Sequence, residues 1–370
     1  MRLACHNLLH DRMRLAVTVL GISFAVCLMV FQGSLLYGFV AAAGKLIEST
    51  DSDIWITARG VVCFDLPATI SKHLQEVSKG IPGVASTSRV VMAMAEYRKP
   101  NGEHQMIALV GADPEAGREF PIPYVRSSRV LDPDGILVDV SNTSLLNARN
   151  NSEIEINRQR AHITGEVQGF SSFLGCPYVF TSYTDAARYM RLQPDESMYI
   201  LLRLLPGYSV EEAKRRLQAR LPDVDVLTRD EFAHRSQIYW TSKTGAGGGI
   251  LAAALLGFLV GLVIVSQTIY ATTMENLEEF ATLKALGASG SFVMKIVLVQ
   301  ALICGVIGTS IGLAVTFPLI NQAQRAIPWI QTPWWLPVGM IAPSLAMCCL
   351  AALVSIRAAL TVDPARVFRA

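Results

Sequence analysis

The stretch from Gly245 to Phe292 reads GAGGGILAAALLGFLVGLVIVSQTIYATTMENLEEFATLKALGASGSF, and it decides the architecture of the chain. Its first part, as far as Met274, is an apolar run without a charged residue, and a short charged segment follows. A helix crosses a bilayer with roughly twenty apolar residues. A second apolar run begins soon after Gly287. The stretch therefore predicts a membrane helix, a compact polar connection and a second membrane helix.

Four windows of the chain contain no Asp, Glu, Lys, Arg or His: 15–44, 245–274, 296–324 and 326–356. Each window has about thirty residues, which is enough to span a bilayer. We therefore predict an α-helical membrane protein with four transmembrane helices and a mixed α/β extracytoplasmic domain inserted between helices 1 and 2. The predicted segments are an N-terminal segment 1–14, transmembrane helices 15–44, 245–274, 292–324 and 326–356, an inserted domain 45–244, a connecting helix 275–291 and a C-terminal tail 357–370.

The distribution of positive residues predicts the orientation of the spans. Lys and Arg near span ends favour the cytoplasmic side. If the N-terminus is cytoplasmic, the inserted domain is outside, the C-terminus is also cytoplasmic, and the short loop between the last two spans offers only Arg325. The positive residues on the cytoplasmic side are then Arg2, Arg12, Arg14, Lys284, Lys295, Arg357, Arg366 and Arg369.

The inserted domain combines strand and helix patterns. A β-rich insertion is predicted at about 133–177, where Asn, Ser and Gly separate short strand-like pieces. A βαβ unit follows, with a helix over Val210–Leu221 that Ser209 can cap. The last part, about 229–244, has helical propensity and predicts a stalk that leads into the second span. The GAGGG at 245–249 argues against an unbroken rod and predicts a hinge, because glycine costs about 1 kcal/mol in a helix interior.

A search for catalytic or cofactor chemistry finds little. There is no G-x-x-x-x-G-K-[ST] phosphate loop, so the chain is not expected to bind ATP itself. The six histidines show no ligand spacing, and we expect no metal, no other cofactor and no catalytic residue. The near balance of charge argues against a nucleic-acid partner. Cys63 and Cys176, the two cysteines assigned to the outside, either form a disulfide or remain buried thiols, and we predict thiols.

The composition of the spans indicates that they do not use an ion gradient as an energy source. Ion-coupled transporters and channels place ionisable side chains inside the bilayer, and these four windows contain no carboxylate, histidine, lysine or arginine. Energy is therefore expected from another subunit. The spans do offer small residues at helical spacing, which allow close packing either within the chain or across a homodimer. These residues are Gly257, Gly261, Gly305, Gly308 and Gly312.

The charged segment after the second span has an amphipathic pattern. On a helix, Leu277, Phe280 and Leu283 share one arc, while Glu278 and Glu279 lie on the opposite side. Gly287 can end such a helix in the left-handed conformation. Two interpretations remain open from the residues alone: a surface helix that docks on a partner, or a tight loop that lies on the lipid headgroups.

Three parts of the chain resemble permeases of the MacB/FtsX type, which are also called type VII ABC-transporter permeases. They are the block NLEEFATLKALGAS after a membrane helix, the opening RLACHNLLHDRMRLAVTVLGISFAV, and Asp363-Pro364-Ala365 near the end. The opening block and the stretch 51–56, DSDIWI, are most similar to the DevC-like branch. The individual motifs are short, and their order and spacing carry the resemblance.

This resemblance implies a non-catalytic permease subunit of the bacterial inner membrane. ATP and Mg would bind to a separate ABC ATPase, seated on a coupling helix formed by Glu275, Leu277, Glu278, Glu279, Phe280, Leu283, Lys284 and Gly287. The family organisation further implies a permease homodimer and mechanotransmission from the ATPase to the outer domain. The DevC-like resemblance implies tripartite efflux of a lipid-like or amphiphilic substrate, with a periplasmic membrane-fusion protein and an outer-membrane channel.

Two other functions are compatible with the same sequence. One is a non-transporting mechanotransmission subunit that regulates an extracytoplasmic cell-wall hydrolase. The other is a membrane-anchored receptor or structural protein without an ATPase. The large two-part outer domain favours the exporter, because docking a fusion protein requires surface.

Overall fold

A computed structural model describes residues 12–99, 102–113, 132–140, 146, 152–170, 172–275, 282 and 290–360. The chain divides into two compact units, one comprising Met1–Gly38 with Gly248–Ala370 and the other Phe39–Gly247. In chain order the helices are α1 (Arg12–Glu48), α2 (His73–Lys79), α3 (Tyr183–Tyr189), α4 (Val210–Arg220), α5 (Arg229–Ile238), α6 (Ala246–Glu275), α7 (Gly290–Ala326), α8 (Trp335–Gly339) and α9 (Ile341–Leu360).

The described strands all lie in the second unit. They are β1 (Ile54–Ala58), β2 (Ile70–Ser71), β3 (Val84–Arg98), β4 (His104–Ala112), β5 (Gly135–Asp139), β6 (Glu153–Ile156), β7 (Gln159–Val167), β8 (Tyr178–Ser182), β9 (Glu196–Ser197), β10 (Tyr199–Leu204) and β11 (Val224–Thr228). Apart from the small β2–β9 pair, they form one nine-stranded sheet in the order β11-β1-β10-β3-β4-β8-β5-β7-β6.

Among the residues that the structure describes, four helices are long and apolar enough to cross a membrane. These segments are Leu15–Glu48, Ala246–Ala271, Met294–Ala326 and Trp335–Leu353. The inserted α/β unit follows the first of them in the chain and precedes the second. The predicted fold class, four transmembrane helices with a mixed α/β domain between helices 1 and 2, is confirmed.

The fourth predicted span, 326–356, begins too early. In the structure α7 ends at Ala326, residues 327–334 are not helical, and the fourth apolar helix begins at Trp335. Pro328 and Pro333 explain the difference, because proline lacks the backbone N–H that a helix interior requires. Absence of charge marked this segment as apolar without distinguishing a loop from a helix.

The sheet of the second unit has an apolar core on each face. Alternate residues of β1 point to opposite sides, so Trp55 packs with one cluster while Ile54 and Ile56 pack with the other. Helix α4 contributes Ala213 and Leu217 to the second cluster. Trp55, fully buried, contacts the aromatic rings of Phe64, Tyr199 and Phe232.

The segment 133–177, predicted as an inserted β-rich subdomain, contributes strands to the same sheet. Strand β5 pairs antiparallel with β8 and parallel with β7, and the end of β6 pairs with the end of β3. Strand β8 pairs with β4 along one edge and with β5 along the other. These strands therefore extend the main sheet instead of forming a separate one.

The predicted βαβ unit is present as β10, α4 and β11. Both strands pair antiparallel with β1, which lies between them, so β10 and β11 run in the same direction. Ser209 caps α4 and accepts a hydrogen bond from the Glu212 N–H at 3.4 Å. This unit ends at Thr228, where the chain turns back towards the second span.

Candidate functional site

The coupling segment predicted from the sequence lies almost entirely outside the described residues. Helix α6 ends at Glu275 and α7 begins at Gly290. Glu275 is the last residue described before this segment, and its predicted place at the start of the coupling helix stays a prediction. The other predicted ATPase contacts, Leu277, Glu278, Glu279, Phe280, Leu283, Lys284 and Gly287, fall between these helices and are not described. Their role stays a prediction.

The five glycines of the spans are all placed against other helices of the same chain. A Cβ at Gly308 would lie 2.7 Å from Ile22 of α1, and one at Gly257 would lie 2.6 Å from Leu28 of α1. Gly312 also faces α1, Gly261 faces α1 and α9, and Gly305 faces α9. Small residues at these contacts let the helix backbones approach closely. The geometry corresponds to the within-chain alternative.

Hydroxyl groups add hydrogen bonds between the helices, which sequence inspection missed. Ser23 Oγ of α1 donates to the Gly308 carbonyl of α7 at 2.9 Å. Thr309 of α7 and Ser344 of α9 share a hydrogen bond of 2.9 Å. Such bonds contribute about 0.6 kcal/mol on average between membrane helices. They fix the rotation of α7 relative to its two neighbours.

The predicted stalk begins as a well-capped helix. Thr228 accepts a hydrogen bond from the Glu231 N–H, and the Glu231 side chain accepts one from the Thr228 N–H, which forms a capping box. Helix α5 continues into a π-helical turn, Tyr239–Lys243. Single π-helical turns are frequent at functional sites. The helical path is then interrupted at Gly245, whose φ is +75°.

In the Gly-rich start of the second span, the helical backbone is interrupted at one residue, and the glycines that follow it are helical. Gly245 adopts the left-handed region, which favours glycine. Gly247, Gly248 and Gly249 lie inside α6. A Cβ at Gly248 or Gly249 would meet nothing within 4 Å. The stalk is therefore helical up to Lys243 and does not continue as one rod into α6.

A buried carboxylate connects the π-helical turn to the inserted domain. Asp65, 5% exposed, accepts a hydrogen bond from Trp240 Nε1–H at 2.9 Å and another from the Tyr178 hydroxyl at 3.2 Å. Burial raises the pKa of Asp65 above its ordinary value, although both hydrogen bonds act in the opposite direction. The same burial, with the nearby Asp65 charge, raises the pKa of Tyr178.

Aromatic side chains link the same turn to the end of the first membrane helix. The Trp240 ring meets the edge of Phe173 at a centroid distance of 5.0 Å, and Phe173 meets Phe39 of α1 at 4.9 Å. A polar contact lies beside them, with Gln237 Nε2 donating to Glu48 Oε1 at 3.1 Å. Within the second unit, the end of α1 and the stalk are thus joined directly by Gln237 and Glu48 and indirectly through Phe173.

Cys63 and Cys176 are unbridged in the structure, and the prediction that both remain thiols in the native permease is open to experiment. Burial, with a smaller effect of the Asp65 carboxylate, raises the pKa of Cys63 to about 11. Burial also raises the pKa of Cys176. Both are therefore weak nucleophiles near neutral pH, because the thiolate is the reactive form. Among the residues that the structure describes, no three His, Cys, Asp or Glu side chains are grouped so that they could hold a metal ion.

Family comparison matches both halves of this architecture. The MacB-like periplasmic core domain matches residues 15–220, more than half of the chain, and the FtsX-like permease C-terminal region matches residues 251–364. The chain belongs to the MacB/FtsX-type ABC-transporter permeases. Membership implies an ATPase partner, and permeases of this family are typically non-catalytic. No comparison tests the DevC-like branch specifically, so that assignment stays a prediction.

Similar chains include several uncharacterized mycobacterial permeases. An uncharacterized ABC transporter permease of Mycobacterium bovis is 23% identical, and the match covers 96% of this chain and 95% of that one. Two of Mycobacterium tuberculosis, aligned over 371 and 368 residues, have the same identity and the same coverage.

Solved structures with similarity to this permease include two domains that lie outside the cytoplasm in their own proteins. The periplasmic region of MacB from Actinobacillus actinomycetemcomitans aligns at 11% identity with a TM-score of 0.38, covering 49% of this chain and 90% of that one. The extracellular domain of the ABC-type transporter YknZ from Gram-positive bacteria aligns at 12% identity with a TM-score of 0.34, covering 48% and 98%.

Proposed function

We propose that this permease is the non-catalytic membrane subunit of an ABC exporter. It transmits ATP-driven motion from a separate ATPase, which binds the ATP and Mg, to the inserted domain outside the cytoplasm. One observation carries the proposal. Phe173 of the inserted domain contacts both chain segments that lead to membrane helices. It packs against Phe39 at the end of α1 and against Trp240 in the turn before α6.

The composition of the spans supports mechanical transmission over ion coupling. The four uncharged windows offer no carboxylate, histidine or arginine to relay protons or bind ions. Hydroxyl hydrogen bonds and glycine contacts join α1, α7 and α9 instead. A packed bundle of this kind can move as a body when a partner moves one of its ends.

The exporter assignment includes a substrate class and further partners. We propose a lipid-like or amphiphilic substrate, a permease homodimer, a periplasmic membrane-fusion protein and an outer-membrane channel, in the bacterial inner membrane with both termini cytoplasmic. The support is the DevC-like resemblance of the opening block and of residues 51–56. A hydrolase regulator would use the same motion without a substrate. A fusion-protein gene beside the permease supports export, and a hydrolase gene there supports regulation.

The test of the proposal is charge reversal in the predicted coupling segment. Glu279→Lys should weaken copurification of the cognate ATPase and leave membrane insertion unchanged. A docked surface loses about 2 kcal/mol or more on such a change, which is more than tenfold in affinity. Glu211→Lys is the matched control, because Glu211 is an exposed carboxylate in the first turn of α4.

Removal of an apolar side chain gives a complementary measurement. Phe280→Ala should uncouple ATP hydrolysis from export even where some ATPase remains bound. Removal of an aromatic side chain that fills a partner's pocket weakens binding more than its contact area alone would suggest. Phe292→Ala, which removes an exposed ring from the first turn of α7, is the control. If both coupling-segment variants copurify the ATPase and export as the wild type does, this segment does not seat the ATPase.

A further inference from the structure

The loop Val61–Leu66 is held firmly at the base of the inserted domain by contacts on several sides. The Phe64 N–H donates to Ser236 Oγ of α5 at 3.0 Å, and the Tyr199 hydroxyl donates to the Phe64 carbonyl at 2.9 Å. Arg235 donates to the Val61 carbonyl at 3.0 Å. The loop is therefore a fixed platform, and it presents the carboxylate of Asp65 to the turn that precedes α6.

Asp65 is unusual because it is a buried acid with two neutral donors. Transfer of a carboxylate out of water is costly unless hydrogen bonds replace the lost solvation. Here the donors are the Trp240 indole N–H and the Tyr178 hydroxyl. An indole can only donate, so Trp240 needs an acceptor at this position. The pair is specific, since neither phenylalanine at 240 nor leucine at 65 could reproduce it.

Trp240 also extends the contact from Asp65 to the first membrane helix. One side of its ring meets Phe173, and Phe173 meets Phe39 of α1. All of these residues lie in the compact unit Phe39–Gly247. Asp65 and Phe173 thus contact the indole directly, and Phe173 connects it to Phe39.

We infer that Asp65 is a positioning residue for force transmission. It fixes Trp240, and through Trp240 and Phe173 it holds the stalk turn and the end of α1 together, so that the two connections between the inserted domain and the membrane move as one element. We call the set Phe39, Asp65, Phe173, Tyr178 and Trp240 the basal clamp. This inference rests on the proposed function, and it assigns to these side chains a role in that function.

The first experiment measures the clamp without any partner, in full-length permease in lipid nanodiscs. Trp240→Phe and Asp65→Leu should speed amide hydrogen exchange in residues 236–245 by roughly tenfold or more, because a hydrogen bond to a charged group is lost. Trp55→Phe is the comparison variant. Trp55 is fully buried, whereas Trp240 is half-buried, and among the described residues the Trp55 N–H has no hydrogen-bond partner, so this change shortens an indole without removing a hydrogen bond. Equal exchange in the Trp240 and Trp55 variants would overturn the clamp.

The second experiment asks whether the clamp stays closed during turnover. A Cβ at Gly44 of α1 would lie 3.2 Å from Cδ of Gln237 on the stalk, so Gly44→Cys with Gln237→Cys places two thiols on facing segments, and a linked peptide after oxidation is the first requirement of the experiment. The native cysteines are replaced in this variant. ATPase-coupled export should be the same before and after oxidation. Loss of export on oxidation, restored by a reductant, would show that the segments separate and would overturn the inference.

The two proposals fail in different ways. If no ATPase associates with the wild-type permease, the proposed function fails, while the exchange experiment still reports on the clamp. If the ATPase associates and export proceeds, but the exchange of residues 236–245 does not respond to Trp240→Phe, only the clamp fails. Trp240→Phe in the coupled complex should retain bound ATPase and lose at least tenfold in export per ATP hydrolysed.

Discussion

The replacement Gly308→Ala tests whether the glycines of the spans pack within the chain. A Cβ at this position would lie 2.7 Å from both Cβ and Cγ2 of Ile22, and 3.2 Å from the Val19 carbonyl oxygen. Ile22 is fully buried and β-branched, so it cannot rotate out of the way. The helices α1 and α7 must therefore separate locally, which also strains the hydrogen bond from Ser23 to the Gly308 carbonyl.

The expected magnitude comes from a comparison with Gly249→Ala. Both glycines lie inside helices, so both replacements gain about the same helix propensity, roughly 1 kcal/mol. Only Gly308 meets an obstacle, since a Cβ at Gly249 would meet nothing within 4 Å. The difference between the two variants therefore isolates the overpacking, which typically costs about 1–3 kcal/mol. At roughly 2–4 °C per kcal/mol, this corresponds to several degrees in the unfolding midpoint.

The assay combines thermal unfolding in detergent with the mass of the particle by light scattering at two protein concentrations. Gly308→Ala should unfold several degrees below Gly249→Ala at both concentrations and keep the oligomeric mass of the wild type. Equal midpoints would refute the packing argument. A normal midpoint together with a reduced mass would show instead that Gly308 faces a second copy of the chain.

Three further predictions concern topology, thiols and pH. A reporter fused after Asp223 should be active only outside the cytoplasm, and one fused at Ala288 only inside; the reverse pattern contradicts the orientation. Mass spectrometry after alkylation of the native permease near neutral pH should find Cys63 unmodified and no peptide linked to Cys176, because the pKa of Cys63 is raised to about 11 by burial; a linked peptide would show a disulfide. Burial raises the pKa of folded Asp65 above its ordinary 3.8, so its contribution to stability is most favourable below that pH and declines as the pH rises through the raised pKa. The unfolding midpoint of wild type minus that of Asp65→Asn should therefore fall over this range, and a rise would contradict the assigned cause.

The spans were predictable because long uncharged runs have few alternatives to a membrane helix. The fourth span shows the limit of that reasoning, since charge does not report where Pro328 and Pro333 interrupt the helix. Glycine spacing likewise identified close packing on α6 and α7. It could not identify the facing helix, because the contact between Gly308 and Ile22 joins residues far apart in sequence.

The inserted domain was predictable in its elements and not in its pairings. The capping residue Ser209 and the helical pattern after it identified α4 almost to the residue. Whether β5, β6 and β7 form their own sheet depends on the free edge of β8, which no local pattern reveals. The basal clamp was missed for the same reason. The single signal for it in the sequence is Asp65, a lone acid in the apolar stretch Val61–Leu66. An acidic side chain is rarely buried in such a stretch unless hydrogen-bond donors are close to it.

The break at Gly245 determines how motion could pass between the stalk and the second span. A continuous helix from α5 to α6 would transmit force by its own stiffness, but a residue with φ of +75° cannot belong to a right-handed helix. The chain on either side of Gly245 is helical, so bending at this point disturbs few hydrogen bonds. Force that arrives through α6 alone would be lost in such a bend. In the proposed mechanism, the contacts of Trp240 with Asp65 and Phe173 would provide a second route, because Phe173 also contacts Phe39 of α1, which is an unbroken helix from Arg12 to Glu48.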